Sequence, residues 1–416
     1  MLRSGSLKKL LLPVAVGLAG LYISWVFLGN WAYPYDFFLG FVIAVWIAVV
    51  SGAGRIRDGA TAVASVLLFL AAIETYAFAK QGPALDRHSA GFTRLDLALG
   101  WGPRPGIGHQ TKYDLKTGKI VADADYTIEP RGIRKVASAQ DGPTVAFFGD
   151  SMTFGEGLPD SETLPQSFSD LTDRRLHVVN LAFSAYGPQQ FLRALETDRF
   201  TDILTKPRLF VYMTAQWHVE RTACMHGFVF LAPRYELVDG RPQFQGSCRG
   251  LLYGLLARSA IYKAFIEPAL VRVGASDIDL YVAILIRAGQ LARQKYGVPT
   301  VILYLPDPAY ARKSGWSDDQ IMERLREGGL QVIDVGLDQR DFPGEPLEIP
   351  SDGHPTGVAN LARAKLLYSA LGDIAAPSAL MSSVSPGAPA SPCMATPKRV
   401  ATLAAGASNR AVVGCW

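Results

Sequence analysis

Three apolar stretches in the first eighty residues constrain this chain more than any other feature. They run from about residue 10 to 28, from 37 to 54 and from 60 to 79. Each is near the ~20 residues that a helix needs to cross the hydrocarbon core of a bilayer. Short polar gaps separate them, holding Asn30, Pro34 and Asp36, then Arg55, Arg57 and Asp58. A cleaved signal peptide would account for the first stretch but not for the next two. Residues 1–80 therefore read as a membrane anchor with three transmembrane helices. Arg3, Lys8 and Lys9 precede the first stretch and Arg55 and Arg57 lie between the second and third, while the loop between the first two has no Lys or Arg. The positive-inside rule then places everything after Lys80 outside the cytoplasm. The expected location is multi-pass in the inner or plasma membrane, with the following domain on the extracytoplasmic side. Glu74, near the outer end of the third stretch, either reaches the interface or faces another helix.

Beyond the anchor the chain changes character in steps. Residues 81–143 have few apolar runs and include Gly-Trp-Gly-Pro-Arg-Pro-Gly at 100–106, which predicts an irregular lead-in. From Thr144 short β-rich runs alternate with helical ones. Strands are predicted at Thr144–Phe148, His177–Leu181, Arg208–Met213, Thr300–Leu305 and Gln331–Val335. Helices are predicted at Gln189–Thr197, Ile278–Tyr296, Asp318–Glu327 and Gly357–Leu371. This alternation implies an α/β domain over 144–375 with a parallel sheet covered on both faces, and in such sheets ligands bind beyond the carboxyl ends of the strands. The alternation breaks at about 222–274, where Phe228–Leu231 and Tyr235–Val238, around Ala232-Pro233-Arg234, read as an inserted hairpin. Residues 376–416, rich in Ala, Ser, Pro and Gly, read as a disordered tail.

The net charge of only +4 over 416 residues argues against nucleic acid as a partner. No metal-ligand cluster or phosphate loop is apparent, so no cofactor is expected. Of the four cysteines, Cys224 and Cys248 fall in the exported part, where they either pair in an oxidising compartment or remain free thiols. Cys393 and Cys415 lie in the tail.

Three segments carry chemistry. Phe148-Gly149-Asp150-Ser151 puts a serine just beyond an apolar strand, where an open α/β sheet places reactive groups. Ser351-Asp352-Gly353-His354-Pro355 puts an acid and a base on a loop before the last helix, and a serine nucleophile needs both a proton acceptor and a group that orients it. Asn180 to Gly187 follows a strand and precedes a helix, so its backbone N–H groups suit an oxyanion hole.

In this order the segments resemble the SGNH (GDSL-like) hydrolase family over about residues 144–372. The resemblance implies a flavodoxin-like three-layer sandwich and a Ser–His–Asp mechanism on acyl esters. It implies Ser151 as nucleophile, His354 as base and Asp352 as the acid, with the N–H groups of Ser151 and Ala185 as oxyanion donors. Ala185 stands where the family usually has glycine. Gln216 stands at the position of the family's asparagine donor, and its carboxamide has the same donors on a longer arm. Asp352 precedes His354 by two residues rather than the family's usual three. Asp150, His218 and Arg221 are further site candidates; His218 and Arg221 could bind an anionic group or simply pack. The expected function is a serine esterase on acyl, above all acetyl, esters. The alternatives are an O-acyltransferase that modifies a cell-surface glycan with the same residues, and a non-catalytic carbohydrate-binding module. The partners expected are the membrane and an acylated small molecule or glycan.

Overall fold

The computed structural model describes residues 4–24, 32–51, 54–80, 86–89, 92–114 and 117–372. The tail expected at 376–416 lies outside them. Three helices come first: α1 (Ser4–Ile23), α2 (Ala32–Val50) and α3 (Arg55–Lys80). Two of them, over Tyr33–Val50 and Arg55–Lys80, are long and apolar enough to cross a membrane; the described apolar part of α1, Leu12–Ile23, is shorter. Two candidate spans therefore stand where three were expected, because the first predicted stretch continues into residues 25–28, outside the described ones. Val49, Val66 and Phe69 turn outward from α2 and α3, an arrangement that water disfavours and hydrocarbon does not.

The lead-in is not irregular. It forms β1 (Asp86–His88), β2 (Thr93–Asp96), β3 (Gly100–Pro103), β4 (Gly106–Tyr113) and β5 (Ile120–Ile128). β4 pairs antiparallel with β1 and β5, and β2 with β3. Its strands escaped detection because the inward face of β4 carries Gly108, Gln110 and Lys112 rather than apolar residues. The period-two burial is present, but its inside is polar.

The α/β part runs β6 (Thr144–Phe148), α4 (Ser151–Phe154), α5 (Leu164–Leu171), β7 (His177–Asn180), α6 (Pro188–Glu196), β8 (Pro207–Ala215) and α7 (His218–Thr222). An insertion follows, with β9 (Pro233–Val238), β10 (Arg241–Ser247), α8 (Leu251–Leu256) and α9 (Glu267–Leu270). The fold closes with α10 (Ala275–Tyr296), β11 (Thr300–Leu305), α11 (Pro308–Ser314), α12 (Asp318–Glu327), β12 (Gln331–Asp334) and α13 (Gly357–Leu371). All five predicted strands form one parallel sheet in the order β12-β11-β8-β6-β7. Read by chain position this is the 2-1-3-4-5 order of flavodoxin-like sheets, whose switch point falls between the first and third strands, here β6 and β8.

Side chains that alternate along β6 explain the two layers of helices. Ala146 and Phe148 join Phe191 of α6, Tyr281 of α10 and Leu325 of α12 in one core. Val145 and Phe147 join Phe168 of α5 and Leu367 of α13 in the other. The architecture is thus a three-layer α/β/α sandwich.

The inserted hairpin is present but shifted along the chain. Phe228–Leu231 is not its first arm; β9 and β10 are the arms, joined at Asp239 and Gly240. Both of these residues have positive φ, 51° and 73°, as a two-residue type I′ turn requires, and Asp-Gly is the signal for one. Cys224 and Cys248 form a disulfide across 24 residues of this insertion, a loop length for which closure entropy gives ~3–4 kcal/mol of stability.

Candidate active site

The site is built where β6 gives way to α4. Gly149 has φ 152°, and a Cβ there would lie 2.3 Å from Thr153 Oγ1, so only glycine lets the chain leave the sheet this sharply. Asp150 accepts a hydrogen bond from the Met152 N–H at 3.0 Å and so caps the turn. Ser151 follows at the carboxyl end of β6, at the switch point.

The Ser351–Pro355 loop brings His354 to it. The Ser151 hydroxyl lies 2.8 Å from His354 Nε2, and His354 Nδ1 lies 2.5 Å from Asp352 Oδ2. Asp352 also accepts from the His354 backbone N–H, which fixes Asp352 and His354 as one unit despite their two-residue spacing. The other Asp352 oxygen accepts from Lys112 Nζ at 2.6 Å.

Lys112 was not foreseen from the sequence. It is buried on the inner face of β4 and also stands 3.5 Å from Glu156 Oε1. Glu156 accepts from Gln110 Nε2 at 3.0 Å and from the Ser184 hydroxyl at 2.7 Å, and its Oε2 lies 4.0 Å from His354 Nε2. A chain of contacts therefore runs from the 180–187 loop through Glu156 and Lys112 to Asp352 and His354. Burial works against charge on His354, but the Asp352 hydrogen bond and the Glu156 carboxylate outweigh it and raise its pKa above the usual value, with Lys112 pulling the other way. Burial likewise opposes charge on Asp352, yet its hydrogen bonds with His354 and Lys112 hold it below the usual carboxylate range. Removing the lysine charge by Lys112→Met relieves the repulsion that a neighbouring cation exerts on an imidazolium. The acid limb of the kcat/KM profile, where the base must be neutral, is then expected at higher pH than in the wild type; a limb that stays in place or moves down contradicts this account of Lys112.

Ala185 adopts φ 63°, the left-handed region in which glycine is at home and other residues are strained by ~1 kcal/mol or more. The turn is held on both sides. Trp101 Nε1 donates to the Ser184 carbonyl at 2.9 Å, and Tyr186 Oη donates to the Trp101 carbonyl at 2.6 Å. Gln216, at the end of β8, is fully buried; its Nε2 donates to the Trp316 carbonyl at 3.0 Å, and its Oε1 meets no partner. A third oxyanion bond from this side chain would need the second N–H on that nitrogen.

Asp150, His218 and Arg221 meet behind Ser151. Asp150 Oδ2 accepts from His218 Nε2 at 2.9 Å and from an Arg221 guanidinium N–H at 2.8 Å. His218 Nδ1 lies 2.9 Å from Thr214 Oγ1, and Arg221 also donates to the Tyr186 carbonyl. Burial pushes the Asp150 carboxyl up, but His218 and Arg221 outweigh it and hold it far below the usual range. Burial, helped by Arg221, lowers the His218 pKa, while Asp150 opposes that shift. The cluster ties β6, the 180–187 loop and α7 together.

Arg134 is a second residue that sequence reasoning missed. It is buried, ion-pairs with Asp160 at 3.0 Å and donates to the carbonyls of Phe154, Gly155 and Leu158. It thereby fixes the loop that carries Glu156. A cleft of about 430 Å³ opens beside Asp352, lined by Met152, Trp217, Asp307, Glu348 and Arg363 among others.

No protein-family model matches the chain, and no curated protein does. Solved structures do. A psychrotrophic esterase from Pseudoalteromonas matches at 12% identity and TM-score 0.32, covering 55% of this chain and 96% of its own. A lipase from a goat rumen metagenome matches at 16% identity and TM-score 0.32, over 55% and 97%. A carbohydrate acetylesterase family member from Sinorhizobium meliloti matches at 15% identity and TM-score 0.32, over 56% and 98%.

Proposed function

We propose that the protein is a serine esterase acting on short acyl esters, acetyl esters above all, outside the cytoplasm. The observation that carries this reading is the unbroken relay from the Ser151 hydroxyl through His354 to Asp352, at 2.8 and 2.5 Å. In it Ser151 Oγ attacks the ester carbonyl as its proton passes to His354 Nε2, and Asp352 holds the Nδ1–H tautomer. The backbone N–H groups of Ser151 and Ala185 receive the negative charge on the carbonyl oxygen. His354 then returns the proton to the leaving alcohol, and water repeats the sequence on the acyl-serine. Asp307, Glu348 and Arg363 around the cleft favour a small acyl group on a polar alcohol over a long apolar chain. The same polar rim, with Trp217 as a stacking face, supports the second reading, in which a glycan hydroxyl replaces water as acceptor. The relay itself favours either enzyme over a non-catalytic binding module.

Export is supported by the Cys224–Cys248 disulfide, which suits an oxidising compartment, and by the basic residues at the N-terminal ends of α1 and α3. The test is turnover of p-nitrophenyl acetate by the full-length protein in detergent, with and without an added oligosaccharide. Release of acetate supports the esterase, acetylated oligosaccharide the transferase; neither product would overturn both.

A further inference from the structure

The insertion contains a segment that the catalytic account does not use. Along residues 251–270, Leu255, Leu256, Phe265, Ile266 and Leu270 are exposed, Leu256 and Leu270 by 57% and 64%. A soluble domain gains nothing from holding so many large apolar groups in water over so short a stretch. Basic residues accompany them: Arg249, Arg258, Lys263 and Arg272.

The same segment touches both candidate membrane helices. Glu74 of α3 is buried and accepts from the Ser259 hydroxyl at 3.0 Å, from the Ile261 N–H at 3.3 Å and from the Ala260 N–H. These donors begin the helical run that continues through Tyr262–Ile266 into α9, where a carboxylate is favoured. At the start of α2, Tyr33 Oη donates to the Leu255 carbonyl, and the Arg258 guanidinium lies 5.9 Å from the Tyr33 ring centroid. Glu74 stands six residues before Lys80, the last residue of α3, so these contacts lie about 9 Å below the helix end at 1.5 Å per residue. The exposed Tyr76 sits beside Glu74 in the chain, with Lys80 Nζ 5.6 Å from its ring centroid. Tyrosine with a nearby lysine is the usual marking of a bilayer interface.

From this continuity we propose that residues 251–270 form an in-plane segment immersed in the membrane interface, with Leu256, Phe265 and Leu270 among the acyl chains and the basic side chains reaching back to lipid phosphates. This rests on the reading of α2 and α3 as membrane spans. The occupant is the lipid surface itself, because the apolar patch continues directly from the outward faces of two helices already suited to hydrocarbon. Glu74 is then neither a snorkelling surface group nor a membrane-buried charge. It is the capping partner that docks the catalytic domain on its anchor and fixes its tilt against the bilayer.

Nitroxide labels placed by Leu256→Cys, Phe265→Cys and Leu270→Cys, one at a time in a background with Cys393→Ser and Cys415→Ser, test this in full-length protein. The protein is reconstituted in nanodiscs of phosphatidylethanolamine and phosphatidylglycerol. Phe69→Cys, in α3, serves as the hydrocarbon control, and Leu97→Cys, on the lead-in, as the aqueous one. The expected result is an oxygen-to-nickel accessibility ratio at the three insertion sites several-fold above that at Leu97 and approaching that at Phe69. Ratios equal to Leu97, with Phe69 still in hydrocarbon, overturn the inference and leave the membrane reading standing. A Phe69 label as water-accessible as Leu97 overturns both. Labels immobilised and shielded from both reagents would mean that protein covers this face, and that also overturns the proposal.

Discussion

Ser151→Ala is expected to lower kcat for ester hydrolysis by ~10⁴-fold or more, with the melting curve unchanged. The size of the effect follows from the unit in which the serine acts. Without Oγ there is no acyl-enzyme, and His354 and Asp352 lose the group they serve; what remains is the contribution of binding and the oxyanion donors. The fold should hold because Ser151 is the first residue of a short helix whose capping side chain is Asp150, and alanine suits that position. Measuring kcat and Tm on the same preparation separates the two effects. A variant that keeps more than about a tenth of wild-type kcat would remove Ser151 from the role of nucleophile.

Asp150→Ala acts on stability instead. It removes the only anion in a buried cluster and leaves Arg221 facing the Tyr186 carbonyl alone and His218 without its acceptor. Breaking a buried pair from one side typically costs ~3–5 kcal/mol, on the order of 10 °C in Tm for a domain of this size. The pH dependence has a definite sign. The folded pKa of Asp150 lies below its unfolded value, so its contribution is present above ~pH 4 and is lost as pH falls further. The difference in Tm between wild type and Asp150→Ala should therefore be full at pH 7 and shrink on acidification below about pH 4. A gap that is absent at pH 7, or that persists undiminished well below pH 4, contradicts the assignment of Asp150 as the charged centre of the cluster.

The two cases also mark what the sequence made legible. The central strands of the sheet were readable because both faces are covered and their residues run almost continuously apolar, as in Thr144–Phe148; the edge strands were readable from shorter apolar pairs, Val178-Val179 and Val332-Ile333. That Ser151 and His354 meet was readable because both stand on loops at the carboxyl edge of the sheet, and both segments carry glycine where the chain must turn. Lys112 was not readable. It lies more than 200 residues from Asp352 in the chain, on a strand with a polar inner face. Strand periodicity is normally recognised by apolar residues, and Gly108, Gln110 and Lys112 have none. Glu156 was hidden in the same way, since a carboxylate between two glycines looks like a solvated turn until Arg134, anchored from the lead-in, is seen to hold that turn. The hairpin shift has a plainer cause: Asp239-Gly240 is the stronger turn signal, and Ala232-Pro233-Arg234 displaced it because proline is conspicuous.

The central claim is that Ser151 is an activated nucleophile, and covalent labelling by a fluorophosphonate addresses it most directly. Full-length protein is treated with the probe and digested, and the modified peptide is located by mass. The account predicts one adduct, on Ser151, formed quickly in the wild type, much more slowly in His354→Ala and not at all in Ser151→Ala. No adduct on the folded wild-type protein, or an adduct on another residue that persists in Ser151→Ala, would contradict it.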